Sequence, residues 1–306
     1  MNKSLDVLTI GDLAADLVLS GRDVVPEFGQ KEKMLGDYSL EMGGSTSIFA
    51  CQAAKLGLKT ALIGKVGNDE FGALIKKTLK QAGVSLSYVK TDPSEKTGLT
   101  VILNAGNDRA IMTYAGTIDA VNKHDVPDAL LKATRHFHIG SYFMMKRLQP
   151  AYPALLKKLK RYGASISLDT NWDPEEKWDS GVWKVLPLVD IFFPNANEAR
   201  LIARERSLEQ AVKKLQKVVP VLVIKKGESG AEAYAGGKKF AAQALKMKVV
   251  DTVGAGDSFD AGFLYGFLSG KAVADSLEIG CLCGSLNTTM PGGTRGQPRL
   301  NNLGGS

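Results

Sequence analysis

The segment DTVGAGDSFDAGF, residues 251–263, carries the strongest chemical signal in the sequence. We expect a strand to end at Val250, residues 254–256 to form a turn, and a helix to begin at Asp257. Successive backbone N–H groups at a helix N-terminus bind anions, and glycine lets a phosphate approach the backbone closely. A carboxylate there repels anions, unless Asp257 accepts a proton while the turn stabilises a phosphoryl group in transfer. The alternative is that Asp257 only caps the helix.

The elements that must position this segment follow a regular alternation of short apolar strands and helices. The chain opens with an apolar strand over Leu5–Ile10, and strands alternate with amphipathic helices from His136 onward. Such alternation predicts a parallel sheet that is covered by helices on both faces. The run GAEAYAGG, residues 230–237, predicts an antiparallel hairpin at the sheet edge. The fold class is therefore α/β, a three-layer sandwich with a mainly parallel central sheet.

Two segments, about residues 12–42 and 97–114, have no place in this parallel sheet. The runs TGLTVIL and RAIMTYA alternate with period two and are joined by NAGND, which predicts a β-hairpin. A hairpin of two strands is not stable alone, so it must pack on another segment. We expect the two segments to form a small β-sheet that acts as a lid, within one domain that spans residues 1–306.

Composition places the chain among soluble globular proteins and excludes several classes. Of its 306 residues 44% are hydrophobic and 23% are charged. No apolar stretch approaches the roughly 20 residues that cross a bilayer. The net charge of +7 comes from lysines on predicted helix faces, so it does not predict nucleic-acid binding. The three cysteines and three histidines suit neither a disulfide framework nor a zinc site, which indicates reduced thiols in the cytoplasm.

The segment 251–263 resembles the C-terminal signature of the ribokinase (PfkB) family of carbohydrate kinases. The N-terminal signature of that family is a Gly-Gly pair, small residues at a helix start and an alanine-rich helix ending in Leu-Gly. Residues 43–57, GGSTSIFACQAAKLG, are similar to it, and residues 63–72, IGKVGNDEFG, resemble the stretch that follows. Because both signatures are present in the order of the family, the resemblance spans nearly the whole chain and implies a ribokinase-like fold.

The resemblance implies a role for each matching residue. Asp257 would deprotonate the acceptor hydroxyl as general base, and the backbone amides of Gly254, Ala255 and Gly256 would form the anion hole. Asn195 and Glu198, in PNANEAR, would position the phosphates of Mg–ATP and would hold Mg²⁺ through those phosphates or through water. The residues that would lie beside ATP are Lys225, Gly227 and Cys281, the last of which opens a segment to Gly293 that borders the adenine. The residues that would bind the acceptor are Asp12, Asp16, Gly43, Gly44, Ser45 and Arg109.

Several of these roles have a structural alternative. A carboxylate at the position of Glu198 is favoured by the helix dipole alone, and Asp16 would also suit a turn. The resemblance further implies a K⁺ ion beside residues 251–256, called the anion loop below, held by the Asp251 carboxylate and the Val253 carbonyl. The alternative is that Asp251 only hydrogen-bonds the turn.

The sequence departs from the family at two positions that bear on the acceptor. Ile48 stands where many of the sugar kinases have an asparagine that contacts the sugar. Asp173 occupies the arginine position of a fructokinase-like pattern, which the chain otherwise resembles through Asp169, Asn171 and Trp178. The missing arginine argues against fructose and against phosphorylated sugars. A second phosphate would need lysine or arginine nearby, and in the hairpin Arg109 and Lys96 are the candidates.

We therefore expect an ATP-dependent kinase that phosphorylates a hydroxyl of a sugar or sugar-like alcohol, with Mg²⁺ as cofactor. A Walker A loop and a Rossmann GxGxxG are absent, which excludes P-loop kinases and argues against a dehydrogenase. The expected partners are the sugar, ATP and a second copy bound through the lid, and neither a nucleic acid nor a membrane. A nucleoside kinase of the same fold is the first alternative, because Ile48 leaves room for it. A non-catalytic sugar-sensing protein is the second, against which Asp257, Asn195 and Glu198 argue.

Overall fold

The computed structural model describes residues 3–21, 23–105 and 108–303. The strands are β1 (Leu5–Ile10), β2 (Ala14–Ser20), β3 (Asp37–Gly43), β4 (Thr60–Gly67), β5 (Val89–Asp92), β6 (Gly98–Ala105), β7 (Asp108–Tyr114), β8 (Thr134–Ile139), β9 (Ser165–Leu168), β10 (Ile191–Phe192), β11 (Val221–Lys225), β12 (Ala231–Ala235) and β13 (Lys238–Ala242). The α-helices are α1 (Ser45–Lys55), α2 (Glu70–Ala82), α3 (Asp128–Ala133), α4 (Tyr152–Arg161), α5 (Val182–Val185), α6 (Ala196–Ala203), α7 (Leu208–Leu215), α8 (Ala255–Leu268) and α9 (Val273–Asn287).

The central sheet has the order β13-β12-β11-β10-β9-β8-β1-β4-β5. In this order, the seven strands from β11 through β1 to β5 run parallel, whereas β12 and β13 pair antiparallel at the edge, as the sequence predicts. Both faces are buried because adjacent side chains of β1 enter different cores. Val7 packs with Phe49 of α1 and Phe263 of α8, whereas Leu8 packs with Phe137 and Leu156 on the opposite side. The carboxyl ends of the parallel strands therefore form one edge, where such sheets bind ligands.

Local sequence explains where α1 and α2 begin and end. The carboxylate of Asp69 accepts the backbone N–H of Gly72 at 2.9 Å and caps the start of α2. Gly83 follows the helix with φ +90°, a left-handed conformation that glycine adopts without strain. Gly57, at φ +87°, similarly follows the end of α1, as the sequence predicts.

His136 and His138 lie on the same face of β8 and are buried. The Oγ of Ser167 lies 2.7 Å from Nε2 of His136 and 2.8 Å from Nδ1 of His138. Burial lowers the pKa of both imidazoles, and that of His138 falls to about 3. Both rings are therefore neutral and are satisfied by serine hydroxyls of β9.

Strands from the two remaining segments form a second sheet with the order β3-β2-β6-β7. β2 pairs antiparallel with β3 and parallel with β6, and β6 pairs antiparallel with β7. The register places Asp16, Thr100 and Thr113 side by side on one face. This four-stranded unit, called the lid sheet below, is formed by strands of the two segments that the sequence analysis sets apart from the parallel sheet.

Two expectations about residues 243–257 are wrong. No strand ends at Val250 in the described chain, because the stretch after β13 packs on α9 instead of pairing with a strand. The backbone N–H of Leu245 donates to Ser285 Oγ at 3.0 Å, and that of Val250 donates to the Thr288 carbonyl at 2.8 Å. In addition, α8 begins at Ala255 and not at Asp257, because Gly254 is its N-cap.

None of the helices in the described ranges is long and apolar enough to cross a membrane.

Candidate active site

A cleft of about 1900 Å³ lies between the lid sheet and the carboxyl ends of the central strands. It brings together most of the predicted site residues, namely Asp12, Asp16, Gly44, Ser45, Arg109, Asn195, Glu198, Lys225, Gly227, Val253, Gly254, Ala255, Gly256, Asp257 and Cys281. Gly43 and Asp251 are not among the lining residues, although each is next in sequence to one, Gly44 and Thr252. Lys96 is exposed and does not line it, so Arg109 is the member of that pair that faces the cleft.

The start of α8 forms the floor of the cleft. Gly254 has φ +72°, and a side chain there would collide with Gly293 and Ile48, each at 2.8 Å from a Cβ. Ile48 thus packs under the loop in this chain. The Ala255 N–H donates to the Thr252 carbonyl at 3.3 Å, whereas the next N–H groups of the first turn have no acceptor within the helix. A helix of 14 residues places its positive dipole end at this point, which suits an anion.

Asp257 lies in this first turn and borders the cleft. Burial raises its pKa well above the usual range, and the charge of Asp169 adds to the effect, while Lys225 opposes it. The Ser45 hydroxyl hydrogen-bonds the carboxyl group and also holds the Asn171 amide at 2.8 Å. A carboxyl group with a raised pKa beside an anion site can accept a proton from a bound hydroxyl.

Asn195 and Glu198 begin α6 and form a capping box. Asn195 Oδ1 accepts the Glu198 N–H at 2.9 Å, and Glu198 Oε2 accepts the Asn195 N–H at 2.9 Å. Burial raises the pKa of Glu198 to about 7, and the charge of Asp169 contributes to the rise. The pair therefore has a structural role at the helix start and also lines the cleft. Asn195 Oδ1 already accepts the N–H groups of Asn197 and Glu198, each at 2.9 Å, so the Glu198 carboxylate is the group available to a hard cation.

The end of the cleft where the resemblance predicts the acceptor is built from the lid sheet and the start of α1. Burial raises the pKa of Asp16 to about 7, with a further contribution from the charge of Asp12. A Cβ on Gly43 would lie 2.0 Å from Asp16 Oδ1, so glycine is required for the carboxylate to occupy its place. Asp12 accepts the backbone N–H groups of Ser45 and Thr46, each at 3.0 Å, and so anchors α1 while it borders the cleft.

Asp173 does not face the cleft in place of the family's arginine. Its carboxylate accepts the Trp178 N–H at 2.7 Å and the Glu175 N–H at 3.0 Å, and the residue is 1% exposed. It thus closes the turn after β9. Trp172, which the sequence analysis did not single out, is 47% exposed on the cleft wall and stands edge-on to Trp178.

The loop before α8 is tied to the loop after α9. Asp251 Oδ1 accepts the Val253 N–H at 2.9 Å, and Asp251 Oδ2 accepts the Gly292 N–H at 2.9 Å. The Val253 carbonyl accepts the Asn287 amide at 2.8 Å. Asn287 Oδ1 is buried without a hydrogen-bond partner in the described chain. These bonds tie the loop at residues 251–253 to residues 287–292.

Sequence analysis missed Asp260, which lies one turn along α8. Its Oδ2 is 3.2 Å from Lys225 Nζ, and Asp169 Oδ2 is 2.6 Å from the same nitrogen. Asp260 lies within the signature DTVGAGDSFDAGF. Its spacing of three from Asp257 places both residues on one helix face, and this spacing is the signal in the sequence that could have identified it.

Comparisons with known proteins agree with this architecture. The model of the pfkB family carbohydrate kinases matches residues 4–300. The chain is 30% identical over 268 residues to the probable fructokinase-5 of Arabidopsis thaliana, across 82% of this chain and 83% of that protein. It is 27% identical over 318 residues to the 2-dehydro-3-deoxygluconokinase of Bacillus subtilis (strain 168), across 98% and 94%. Among solved structures it is similar to a putative ribokinase II from E. coli in complex with ATP and Mg²⁺, with a TM-score of 0.86, 26% identity and coverage of 98% and 97%. The ribokinase-like fold is confirmed.

Proposed function

The chain belongs to the pfkB family of carbohydrate kinases, and we propose that it transfers the γ-phosphoryl group of ATP to a hydroxyl of a sugar acid or related sugar. The observation that carries this proposal is the position of Asp257, whose carboxyl group lies at the N-terminus of α8 in the same cleft as Asp16. Asp257 would accept the proton of the attacking hydroxyl, and Asp16 would bind the hydroxyls of the acceptor.

In the proposed mechanism, Asp16 accepts hydrogen bonds from the acceptor, and Asp257 takes the proton of the attacking hydroxyl. The N–H groups of the first turn of α8 stabilise the negative charge of the phosphoryl group. The lid sheet covers the acceptor and excludes water, which would otherwise compete for the phosphoryl group. Positioning and charge stabilisation are what this reaction needs from a protein.

Mg²⁺ fits the residues at the start of α6. The described chain holds no cluster of three or more His, Cys, Asp or Glu side chains with the geometry of a metal site. Glu198 would therefore contribute one or two oxygen atoms, directly or through water, while Asn195 holds its carboxylate in place, and phosphates and water would complete the shell. When bound, the ion supplies charge neutralisation between the phosphates and the surrounding carboxylates.

A K⁺ ion beside the anion loop is also part of the proposal. The Asp251 carboxylate and the Val253 carbonyl each retain a lone pair beyond the hydrogen bonds described above. The buried, unpartnered Asn287 Oδ1 supports a hard cation at this point. Such an ion would order the loop that receives the phosphate.

The outer face of the lid sheet supports a homodimer. Tyr38, Leu40, Met112 and Tyr114 share this face and are 40–70% exposed. Apolar side chains clustered on an exposed sheet indicate a protein interface. We propose that a second copy of the chain covers them.

The acceptor is proposed to be a sugar acid for two reasons. Arg109 lies on the face of the lid sheet that carries Asp16, so its charge faces the acceptor. The relative named 2-dehydro-3-deoxygluconokinase supports an acceptor of this class. A cytoplasmic reaction is consistent with Cys51, Cys281 and Cys283, which are free and buried.

A panel of acceptors with coupled detection of ADP tests the proposal. It contains keto and aldonic sugar acids, ketohexoses, pentoses, adenosine and inosine, each with Mg²⁺–ATP. We expect the highest kcat/KM with a sugar acid. A preference for a nucleoside would support the alternative acceptor class, and no ADP release with any compound would support a non-catalytic sensor.

A further inference from the structure

Lys225 ends β11 and extends beneath the anion loop. Its Nζ would lie 3.5 Å from a Cβ placed on Gly256, so the ammonium faces the second residue of α8. The backbone N–H of Lys225 donates to the Pro194 carbonyl at 3.0 Å, which fixes the strand end beside the start of α6. The side chain is 15% exposed, and the residue borders the cleft.

Two buried carboxyl groups hold this ammonium from below. Asp169, at the end of β9, is 2.6 Å from Nζ, and Asp260 of α8 is 3.2 Å from it. An ammonium group has three N–H donors, and these contacts account for two. A third donor remains for a group bound in the cleft, which Lys225 lines.

The charges of this cluster are unequal. Burial opposes ionisation of Asp169, but the neighbouring Lys225 outweighs burial and lowers the pKa of Asp169. Burial raises the pKa of Asp260 well above its usual value, and the charge of Asp169 adds to the rise although Lys225 opposes it. Lys225 therefore favours the charged form of Asp169, whereas burial favours the neutral form of Asp260. The contact of Asp260 Oδ2 to Lys225 is longer than that of Asp169, which agrees with a less charged carboxyl group, and Asp260 Oδ1 has no hydrogen-bond partner in the described chain.

We propose that Lys225 is a catalytic residue that contacts the phosphoryl group in transfer, and that Asp169 and Asp260 are positioning residues that hold its ammonium under the anion loop. This inference rests on the phosphoryl transfer proposed above. It places the Lys225 ammonium in contact with the phosphoryl group that is transferred, whereas the resemblance implies only that Lys225 lies beside ATP.

The physical reason is the charge that the phosphoryl group carries during transfer. Its three equatorial oxygens share the charge, and the N–H groups of α8 approach it from one direction. A lysine ammonium in a site that excludes water stabilises that charge strongly, because the local dielectric constant is low. Asp169 and Asp260 restrict the ammonium to one place, so little reorganisation is needed during the reaction.

A purely structural role for Lys225 makes a different prediction. Asp169 is a buried carboxylate, and Lys225 neutralises it. If neutralisation were its whole role, removing both charges together would restore activity. If Lys225 contacts the phosphoryl group, the double variant stays inactive, because no cation remains under the loop.

The experiment compares Lys225→Met, Lys225→Arg and the double variant Lys225→Met/Asp169→Asn with the wild type. We expect Lys225→Met to lower kcat by ~10²-fold or more with the best acceptor of the panel, and Lys225→Arg to recover part of the loss. Affinity for Mg²⁺–ADP, measured by calorimetry, should stay within about threefold, because ADP lacks the transferred group. The tighter binding that aluminium fluoride and the acceptor confer on Mg²⁺–ADP should disappear in Lys225→Met.

Lys65→Met is the matched control. The Lys65 side chain is 14% exposed and lies between Asp125, at 3.3 Å, and Asp92, at 3.9 Å, outside the cleft. The Lys65→Met variant loses a mostly buried lysine that contacts two carboxylates, and it should keep the wild-type kcat. The positioning role is tested with Asp260→Ala, which should lower kcat by ~10-fold with little change in KM, and with Asp260→Asn, which should recover most of that loss.

The outcomes separate the inference from the proposed function. A wild type without activity on any acceptor contradicts the proposed function itself. An active wild type whose double variant regains most of its kcat overturns the catalytic role of Lys225, as does a Lys225→Met variant with near-normal kcat. If Lys225→Met fails to fold, the double variant, which leaves no unpaired buried charge, decides the question.

Discussion

The side-chain amide of Asn195 donates to Oε1 of Glu198 over 2.6 Å, so the two residues of the Asn-x-x-Glu pattern hold each other at the start of α6. The same contact fixes the carboxyl group of Glu198 where it lines the cleft. The pair thus caps a helix and also lines the proposed phosphate site, so the protonation state of Glu198 bears on both stability and binding.

Glu198 should make stability depend on pH. Its pKa is raised from 4.5 to about 7 in the folded protein, so the folded state binds a proton that the unfolded state has lost between these values. The free energy of unfolding should therefore fall as pH rises from about 5 to 7, by up to about 3 kcal/mol from this group. Glu198→Gln keeps the capping box, and denaturant titrations should show a smaller fall for it. An identical slope in both proteins would contradict the raised pKa.

Asp257→Asn should lower kcat by at least ~10²-fold, because the amide cannot accept the proton of the acceptor hydroxyl. ATP affinity should change by no more than a few fold, and calorimetry measures it directly. Asp275→Asn, which alters an exposed aspartate in the first turn of α9, is the matched control and should behave as wild type. Near-normal kcat in Asp257→Asn would remove Asp257 as the general base.

Asp16→Ala should raise KM for the acceptor and lower kcat/KM by at least ~10²-fold, because a buried carboxylate that binds hydroxyls is lost outright. In the wild type, the acceptor KM should rise as pH falls below about 7, since the protonated form of Asp16 accepts hydroxyls less well. Asp37→Ala, at the exposed start of β3, should leave both quantities unchanged. An unaltered KM in Asp16→Ala would exclude Asp16 from the acceptor site.

K⁺ should activate the enzyme relative to tetramethylammonium, because the small ion fits between the Asp251 carboxylate and the Val253 carbonyl and orders the anion loop. Initial rates at matched ionic strength measure the effect. Asp251→Ala should lower the rate in K⁺ and abolish the difference between the two salts. Equal rates of the wild type in both buffers would mean that Asp251 only ties the two loops together.

Met112→Glu should convert a dimer to a monomer, since it places a charge in the apolar outer face of the lid sheet. Sedimentation velocity at micromolar concentration measures the change in mass. Leu201→Glu alters a partly exposed leucine on α6, away from the lid sheet, and should leave the mass unchanged. A wild type that sediments as a monomer would contradict the proposed interface.

Local patterns in the sequence determined much of this protein. The alternation of apolar strands with amphipathic helices predicts the parallel sheet, because side-chain periodicity decides which face each element buries. The glycines before α1 and α8 predict close backbone approaches, which Gly43 and Gly254 show. The predicted roles of Asp16, Asp257, Asn195 and Glu198 rest on segments of the same sequence that resemble the family's signatures.

Tertiary structure alone decided which distant groups meet. Lys225 is 56 positions from Asp169 and 35 from Asp260, and only the order of β9, β10 and β11 together with the docking of α8 brings the three together. The same is true of Asp12, whose bond to Thr46 spans 34 positions, and of the inward turn of Asp173. Side-chain periodicity tells which face a residue occupies, but the identity of its neighbour and its pKa depend on long-range packing that excludes water.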